Sequence, residues 1–393
     1  LTIDVQDFLE NRLYKVISTS EGVSVSEIEP VCGGVCGCDA LEPDVKESEG
    51  STDASAPIAS SKLLGASGSQ GDSRVDILVA FDANAAKYAD TYSGGITNFA
   101  QIAVQKMNAA LSNTGLDENF RFQLVGVATL SVSASDVHDG LYAIRDGEDG
   151  WAELRSYRDE VGADIVTTLI DTGSAYGTTG VGWSLSGGAS VAGFSENAYN
   201  VCAIRSVAQS HTMTHECGHN MGAGHAKEQT TQPGPQYRSY SAGYYLVAGG
   251  KAYSTIMAYA GENPSGASTQ AIPYFSSPDH YYNGVVTGDA AHDNTRTLKE
   301  TFAGVSAWRA IKVPMSYDVV FEPASGATFD GSLEVTLSPG KSGVAIRYTL
   351  DGSEPTADSP VYAAPIVITA TTTIKAATEV DGACSLPYTA TYY

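Results

Sequence analysis

Basic residues are scarce in this chain. Lysine and arginine number 22 against 45 acidic residues, a net charge of −23 over 393 residues. No basic patch is available to neutralise a run of phosphates, which excludes nucleic acid as a partner. Long apolar runs are missing too: no uninterrupted stretch approaches the roughly 20 residues a membrane-spanning helix needs. Cysteine is sparse, with six residues at 32, 36, 38, 202, 217 and 384. That even number permits disulfides, but a chain of this length does not depend on them. There are only seven histidines, so any cluster of them is informative. Apolar residues still make up 42%, enough for a core, and the length suggests two domains plus a tail. The chain starts at Leu1 with no charged-then-apolar leader. The expectation is a mature or trimmed form of a secreted protein, its signal peptide removed. The acidic surplus suits a soluble extracellular chain.

Three of the seven histidines fall in one run, His215-Glu216-Cys217-Gly218-His219-Asn220-Met221-Gly222-Ala223-Gly224-His225. On a helix, His215 and His219 lie one turn apart and project from the same face. Glu216 sits beside them, within reach of a metal-bound water. Gly222 lets the helix stop in a conformation that other residues resist, and His225 returns from the loop as a third ligand. Three nitrogens plus one open position is the layout of a catalytic zinc site, whereas a structural site closes all four positions. Ser206 followed by Gln209 reads as a capping box, predicting a helix from Val207 to Asn220 or Met221. His211 lies one turn before His215 on the same face. Three histidines on one straight helix cannot all reach a tetrahedral ion, so His211 is expected to pack beneath the ligands or support them.

The pattern HExxHxxGxxH resembles the zinc signature of the metzincin metalloendopeptidases. Ser254-Thr255-Ile256-Met257-Ala258-Tyr259 is similar to their methionine-containing turn, which implies Met257 beneath the metal. The wording HECGHNMG is most similar to the reprolysin (adamalysin-like) branch, although that branch usually has Asp where Ala226 stands. Tyr259, two residues after the Met, matches a tyrosine that ligates zinc or stabilises the oxyanion in the astacin-like and serralysin-like branches; it also reads as a half-buried aromatic of the turn. Tyr274-Phe275-Ser276-Ser277-Pro278 looks like a segment of secreted bacterial members. The resemblance covers roughly residues 74 to 310. It implies a Zn2+ cofactor and a mechanism. Zinc lowers the pKa of its bound water to about 7. Glu216 takes that proton as general base, hydroxide attacks the peptide carbonyl, and Glu216 returns the proton to the leaving amine.

Residues 1–72 read as a propeptide and linker. Val5, Leu9, Leu13, Val16 and Ile17 fall at helical spacing and predict a small amphipathic helix. Glu47-Ser48-Glu49-Gly50-Ser51-Thr52-Asp53 belongs to an acidic, Ser/Gly/Ala-rich stretch that buries little and invites cleavage. Pro30-Val31-Cys32-Gly33 is similar to the cysteine-switch motif of matrix metalloproteinase propeptides, which implies a Cys32 thiolate on the zinc. Val31 stands where that motif has Arg. Cys36 and Cys38 compete for the role, and a local disulfide or thiol cluster away from the active site is the alternative.

Residues 73–312 read as the catalytic domain, an α/β (α+β) fold with a twisted mixed sheet and an active-site helix. Strands are predicted over Val75–Phe81, Phe120–Val127 and Asp164–Ile170, and helices over Thr97–Leu111, Trp151–Glu160 and Asn294–Arg309. Gly187-Gly188-Ala189-Ser190-Val191-Ala192-Gly193-Phe194 is expected to be the edge strand that binds extended substrate, with a glycine-rich loop as the alternative. Cys217 either packs as a small core residue or pairs with Cys202. Asp146-Gly147-Glu148-Asp149-Gly150 reads as a solvated turn, and His138, His280 and His292 as surface or turn residues.

Residues 313–393 read as a small antiparallel β-sandwich of immunoglobulin or fibronectin III type. Ile346-Arg347-Tyr348-Thr349-Leu350-Asp351-Gly352-Ser353-Glu354-Pro355-Thr356 resembles the C-terminal domain of chitobiase-like enzymes. That implies a spacer or a carbohydrate or cell-surface contact, with Tyr348 and Tyr362 either stacking on sugars or packing within the sheets. The chain is thus expected to be a secreted zinc endopeptidase acting on protein or peptide substrates. The contrasting reading is an adhesive or carbohydrate-binding surface protein whose protease domain is dormant.

Overall fold

The computed structural model describes residues 73–393 apart from 117–119, 174–176, 314 and 381, together with four short strands of the leading segment. Those strands are β1 (Thr2–Asp7), β2 (Arg12–Thr19), β3 (Gly22–Ile28) and β4 (Gly34–Cys36). The first three form an antiparallel meander in the order β1-β2-β3, replacing the expected amphipathic helix. Val5 lies in β1, and Leu13, Val16 and Ile17 lie in β2. Leu9 is outside the described residues. The segment is dense in β-branched residues, and Val23-Ser24-Val25-Ser26 alternates with period two. Those features favour pleated pairing over the sparse helical spacing.

The central region is built on β5 (Ser73–Phe81), β6 (Phe120–Thr129), β7 (Ile165–Ile170), β8 (Gly177–Gly182) and β9 (Tyr199–Ala203). With β4 they make a six-stranded sheet in the order β4-β8-β9-β7-β5-β6. Strands β6, β5, β7 and β9 are parallel, β8 is antiparallel to β9, and β4 runs parallel to β8. The sheet is therefore mixed, as expected. Its central strands are buried throughout, which is why β5 and β7 read as near-continuous apolar runs.

Seven helices complete the described fold: α1 (Ala83–Ser93), α2 (Ile96–Asn113), α3 (Val137–Asp146), α4 (Glu153–Val161), α5 (Ile204–Gln209), α6 (Thr212–Asn220) and α7 (Asn294–Val305). Helix α2 buries Phe99, Ala103, Met107, Ala110 and Leu111 at helical spacing. Asp82 caps α1 by accepting from the backbone N–H of Asn84 and Ala85, and Asp136 caps α3 in the same way. Helices α1 and α3 were not anticipated; the apolar side of α1 is mostly alanine, whereas α3 does bury Val137, Leu141 and Ile144 at helical spacing. The 187–194 stretch is not a strand: it is a turn leading into a 3-10 helix, Ala192–Asn197. Clustered glycines leave it too few side chains to pack on a sheet. The sheet's outer strand of this region is β8 instead.

Below the site lie β10 (Tyr245–Ala248), β11 (Lys251–Ser254) and β12 (Gln270–Ala271), followed by the small hairpin β13 (Tyr281–Tyr282) and β14 (Val285–Val286). The C-terminal region pairs β15 (Val319–Glu322), β16 (Leu333–Pro339) and β18 (Ile366–Ile368) in one sheet. The second sheet holds β17 (Ala345–Thr349), β19 (Thr372–Val380), β20 (Ala383–Cys384) and β21 (Tyr388–Tyr392). All pairings are antiparallel. Val335, Leu337, Ile346, Ile374, Ala376 and Tyr392 pack between the sheets, as alternation in a sandwich requires. Tyr348 and Tyr362 pack edge to face, ring centres 6.4 Å apart, against that core. The sandwich docks on the central region through Gln101 Nε2, which donates to the Leu386 carbonyl at 3.0 Å, and through Ser316 N–H, which donates to Gln123 Oε1 at 2.9 Å.

Candidate metal centre

Helix α6 carries the first two imidazoles. It does not continue from Val207 as expected: the chain breaks at Ser210 and His211, and Ser206 lies inside α5 rather than capping it. A residue a hundred positions away decides this. The Lys106 ammonium, 3% exposed, donates to the carbonyls of Val207 and Ser210 and so takes the carbonyls that a continuous helix would use. The Ser206, Ser210 and Thr212 hydroxyls bond one another across the break. Gly222, at φ 90°, turns the chain out of the helix end. A side chain there would also meet Tyr237 at 2.8 Å, so both conformation and space call for glycine.

The loop then brings back His225. Asn294, at the start of α7 and fully buried, clamps Gly224: its Oδ1 accepts the Gly224 N–H at 3.0 Å and its Nδ2 donates to the Gly224 carbonyl at 2.9 Å. The three Nε2 atoms of His215, His219 and His225 stand 2.9–3.1 Å from one another. Nitrogens bound to zinc at about 2.0–2.1 Å in a tetrahedron would stand about 3.4 Å apart, so the cluster is within a few tenths of an ångström of that spacing. Among the described residues it is the group of His, Cys, Asp and Glu side chains able to hold a metal ion.

The outer nitrogens of two of the rings fix their tautomers. His215 Nδ1 donates to the Ile256 carbonyl at 2.8 Å, and His225 Nδ1 to the Gln232 carbonyl at 2.9 Å. Carbonyls only accept, so both protons sit on Nδ1 and the Nε2 lone pairs face inward. Burial, with the charge of neighbouring His225, lowers His215 to about 3, and burial with both other rings takes His219 well below its ordinary value. Neutral imidazoles whose lone pairs converge repel one another unless a cation sits among them. The donor set therefore fits zinc chemistry.

Glu216 is 1% exposed and faces β8. A methyl group at Gly180 would sit 2.7 Å from its carboxyl carbon, so the strand passes directly over the acid. Met257 is fully buried, its turn closed by Ala258 N–H donating to Thr255 O at 2.9 Å. A methyl group at Gly218 would meet the Met257 sulfur at 2.9 Å, which places the thioether against α6 between the turns that carry His215 and His219. Tyr259 lies beside His225, ring centres 4.5 Å apart, and its hydroxyl donates to Gln232 Oε1 at 2.8 Å.

Cys32 lies outside the described residues. Of the three N-terminal cysteines, Cys36 falls in a described strand, and its backbone is registered against Gly180. Cys202 and Cys217 are buried free thiols and do not pair. Burial pushes Cys217 up to about 12, and Cys202 is raised well above the usual thiol range, first by burial. Of the surface or turn reading, His292 keeps the turn and not the surface: it is 8% exposed, held between Asp289 at 2.8 Å and Glu228 at 2.9 Å, and so ties the chain just past His225 to the turn before α7. Asn294, Gln232 and His292 carried no spacing signal in the sequence. Only Lys106, a charge inside an otherwise apolar stripe, could have been noticed there.

Residues 71–276, just over half of the chain, match the Metallo-peptidase family M12, and residues 323–389 match the Chitobiase/beta-hexosaminidase C-terminal domain. A Pseudomonas aeruginosa protein, "Peptidyl-Asp metalloendopeptidase", is 28% identical over 266 residues, which cover 61% of this chain. The chain spans 41% of that relative's length. Among solved structures, "Structure of a chaperone-substrate complex" aligns at a TM-score of 0.43 and 16% identity, covering 76% of this chain and 38% of that one. Metalloproteinase-II from Bacteroides fragilis aligns at 0.34 and 12% identity, covering 77% and 76%. With the family match spanning strands β5 to β9, the helix α6 and the three converging imidazoles, the chain belongs to metallo-peptidase family M12.

Proposed function

We propose that this chain is a secreted zinc endopeptidase with Glu216 as general base and a leading segment that holds it latent. One observation carries the reading: three buried imidazoles gather their Nε2 atoms within 2.9–3.1 Å of one another, and the buried carboxylate of Glu216 follows the first of them on α6. Zinc held by His215, His219 and His225 would supply a Lewis acid that polarises the scissile carbonyl and lowers the pKa of water to about 7. Glu216 takes a proton from the attacking water and delivers it to the departing amine, which leaves the carboxylate as it began. Tyr259, held beside His225 by Gln232, is placed to donate to the oxygen on which negative charge develops. Met257 packs beneath and keeps α6 at a fixed height. Backbone groups of β8 offer an extended peptide its hydrogen bonds. The Pseudomonas relative's name adds a substrate preference to the proposal, peptide bonds beside aspartate.

Latency belongs to the same proposal. Strand β4 lies along β8, where an extended substrate would have to pair, so segment and substrate compete for one edge. No helix among the described residues is long and apolar enough to cross a membrane. For the C-terminal sandwich we propose a spacer or surface-attachment role. The packing of Tyr348 on Tyr362 favours structural work for those rings over sugar stacking.

Zinc content and cleavage of an unfolded protein, measured before and after limited proteolysis in the 45–72 linker, test the reading. The expected outcome is about one zinc per chain, with activity rising on cutting. Glu216→Gln should keep the zinc and lose at least about a hundredfold in kcat/KM. Full activity in that variant would remove Glu216 from the mechanism. Zinc-loaded but inert cut chain would favour the dormant, adhesive reading.

A further inference from the structure

Resting on the peptidase reading, we infer that His211, backed by the Lys106 charge, recognises an acidic side chain of the substrate beside the scissile bond. His211 precedes His215 by one helical turn, and the His215 N–H donates to the His211 carbonyl at 2.9 Å. Side chains four apart on a helix stack along one face about 5–6 Å from each other. On this reading the side chain adjoining the scissile carbonyl lies at the His211 position, one turn before His215.

His211 is 7% exposed, and its Nε2 has no hydrogen-bond partner among the described residues. Its Nδ1 has a long contact, 3.5 Å, with the Thr214 hydroxyl. A buried polar atom without a partner is rare and asks for one. The nearby Lys106 ammonium is fixed in place by the two carbonyls at the end of α5, and its positive charge acts on the His211 ring. The first turn of α6 adds the partial positive charge of a helix N-terminus. These groups sort the candidate side chains. An apolar group leaves Nε2 unsatisfied, and a cation meets Lys106. An amide accepts the hydrogen bond but gains nothing from the charge. A carboxylate accepts from Nε2–H and is attracted by Lys106 as well. The substrate class is thus a peptide with Asp or Glu adjoining the cut bond.

The test uses the full zinc-loaded chain, opened in its linker by limited proteolysis. The substrates are peptides identical except for Asp, Glu, Asn or Leu on either side of the scissile bond. The expected result is a kcat/KM for Asp between about tenfold and a hundredfold above Asn. His211→Leu should bring that ratio close to one while zinc content is unchanged. His211→Gln, which keeps a donor of similar reach, should retain part of the preference. A merely structural histidine would not produce this split between the two variants. Equal cleavage of Asp and Asn peptides by the unsubstituted chain, or an Asp preference that survives His211→Leu, overturns the assignment and leaves the peptidase reading standing. No cleavage of any peptide overturns the peptidase reading itself.

Discussion

The Nδ1–H of His225 donates to the backbone carbonyl of Gln232 at 2.9 Å. Gln232 adopts a left-handed conformation, φ 52°, costly for a residue with a side chain. Its amide oxygen accepts the Tyr259 hydroxyl. One residue thus aims the third imidazole with its backbone and holds the tyrosine with its side chain.

Separating those two roles is a matter of one substitution. Gln232→Ala keeps the carbonyl and deletes the amide, so zinc stoichiometry by elemental analysis should stay near one. Stability should fall by about 1 kcal/mol for the lost hydrogen bond. His225→Ala should instead release the metal. A Gln232→Ala chain that also loses zinc would show that the side chain, not the carbonyl, orients His225.

Gly180→Ala places a methyl group against the Glu216 carboxyl group. Either the strand or the acid must move, at a cost of about 1–3 kcal/mol. Peptide cleavage should drop sharply while the fold survives, as read from kcat together with thermal unfolding. Unchanged kcat would mean that the acid tolerates displacement from β8.

Gly218→Ala pushes into the Met257 sulfur and should destabilise the chain by about 1–3 kcal/mol. Met257→Leu conserves volume and should cost less than about 1.5 kcal/mol. Denaturant melts of the two variants should rank them in that order; the reverse order would argue against close packing of the turn on α6.

Burial, together with the Lys106 charge, lowers His211 to about 3, against about 6.5 for an unfolded chain. Its neutral form is favoured by the fold. The stability this contributes is fully present above pH 6.5 and is lost as pH falls toward 3, because only the unfolded chain then binds the proton. Relative to His211→Gln, the unsubstituted chain should lose up to about 1.4 kcal/mol per pH unit across that window. Urea melts at pH 7, 6 and 5 would reveal it, and parallel curves for the two chains would contradict the buried, neutral state.

Much of the site was legible because its geometry is local. The helical repeat alone sets His215 and His219 on one face, and Gly222 announces the turn that follows. The strands β5 and β7 and helix α2 were visible for a similar reason: continuous apolar runs and a 3.6-residue period report burial directly. The misreadings share the opposite character. Apolar spacing in residues 5–17 suggested a helix, yet pairing with neighbouring strands prevailed. The 187–194 stretch looked like an edge strand by position, but β8 takes that place through its antiparallel pairing with β9. His292 seemed a surface or turn residue without a partner because Glu228, 64 positions earlier, gives no sign of being one.

The sequence by itself determined the clustered histidines, their spacing and the acid beside them, since contacts one turn apart are written in the order of residues. The tertiary structure alone decided where His225 comes to rest, where α5 stops and α6 begins, and which strand passes over Glu216. Those outcomes depend on Asn294, Lys106 and β9, groups brought near by the packing of the whole sheet and its helices. No local period encodes a hydrogen bond between residues seventy or a hundred positions apart.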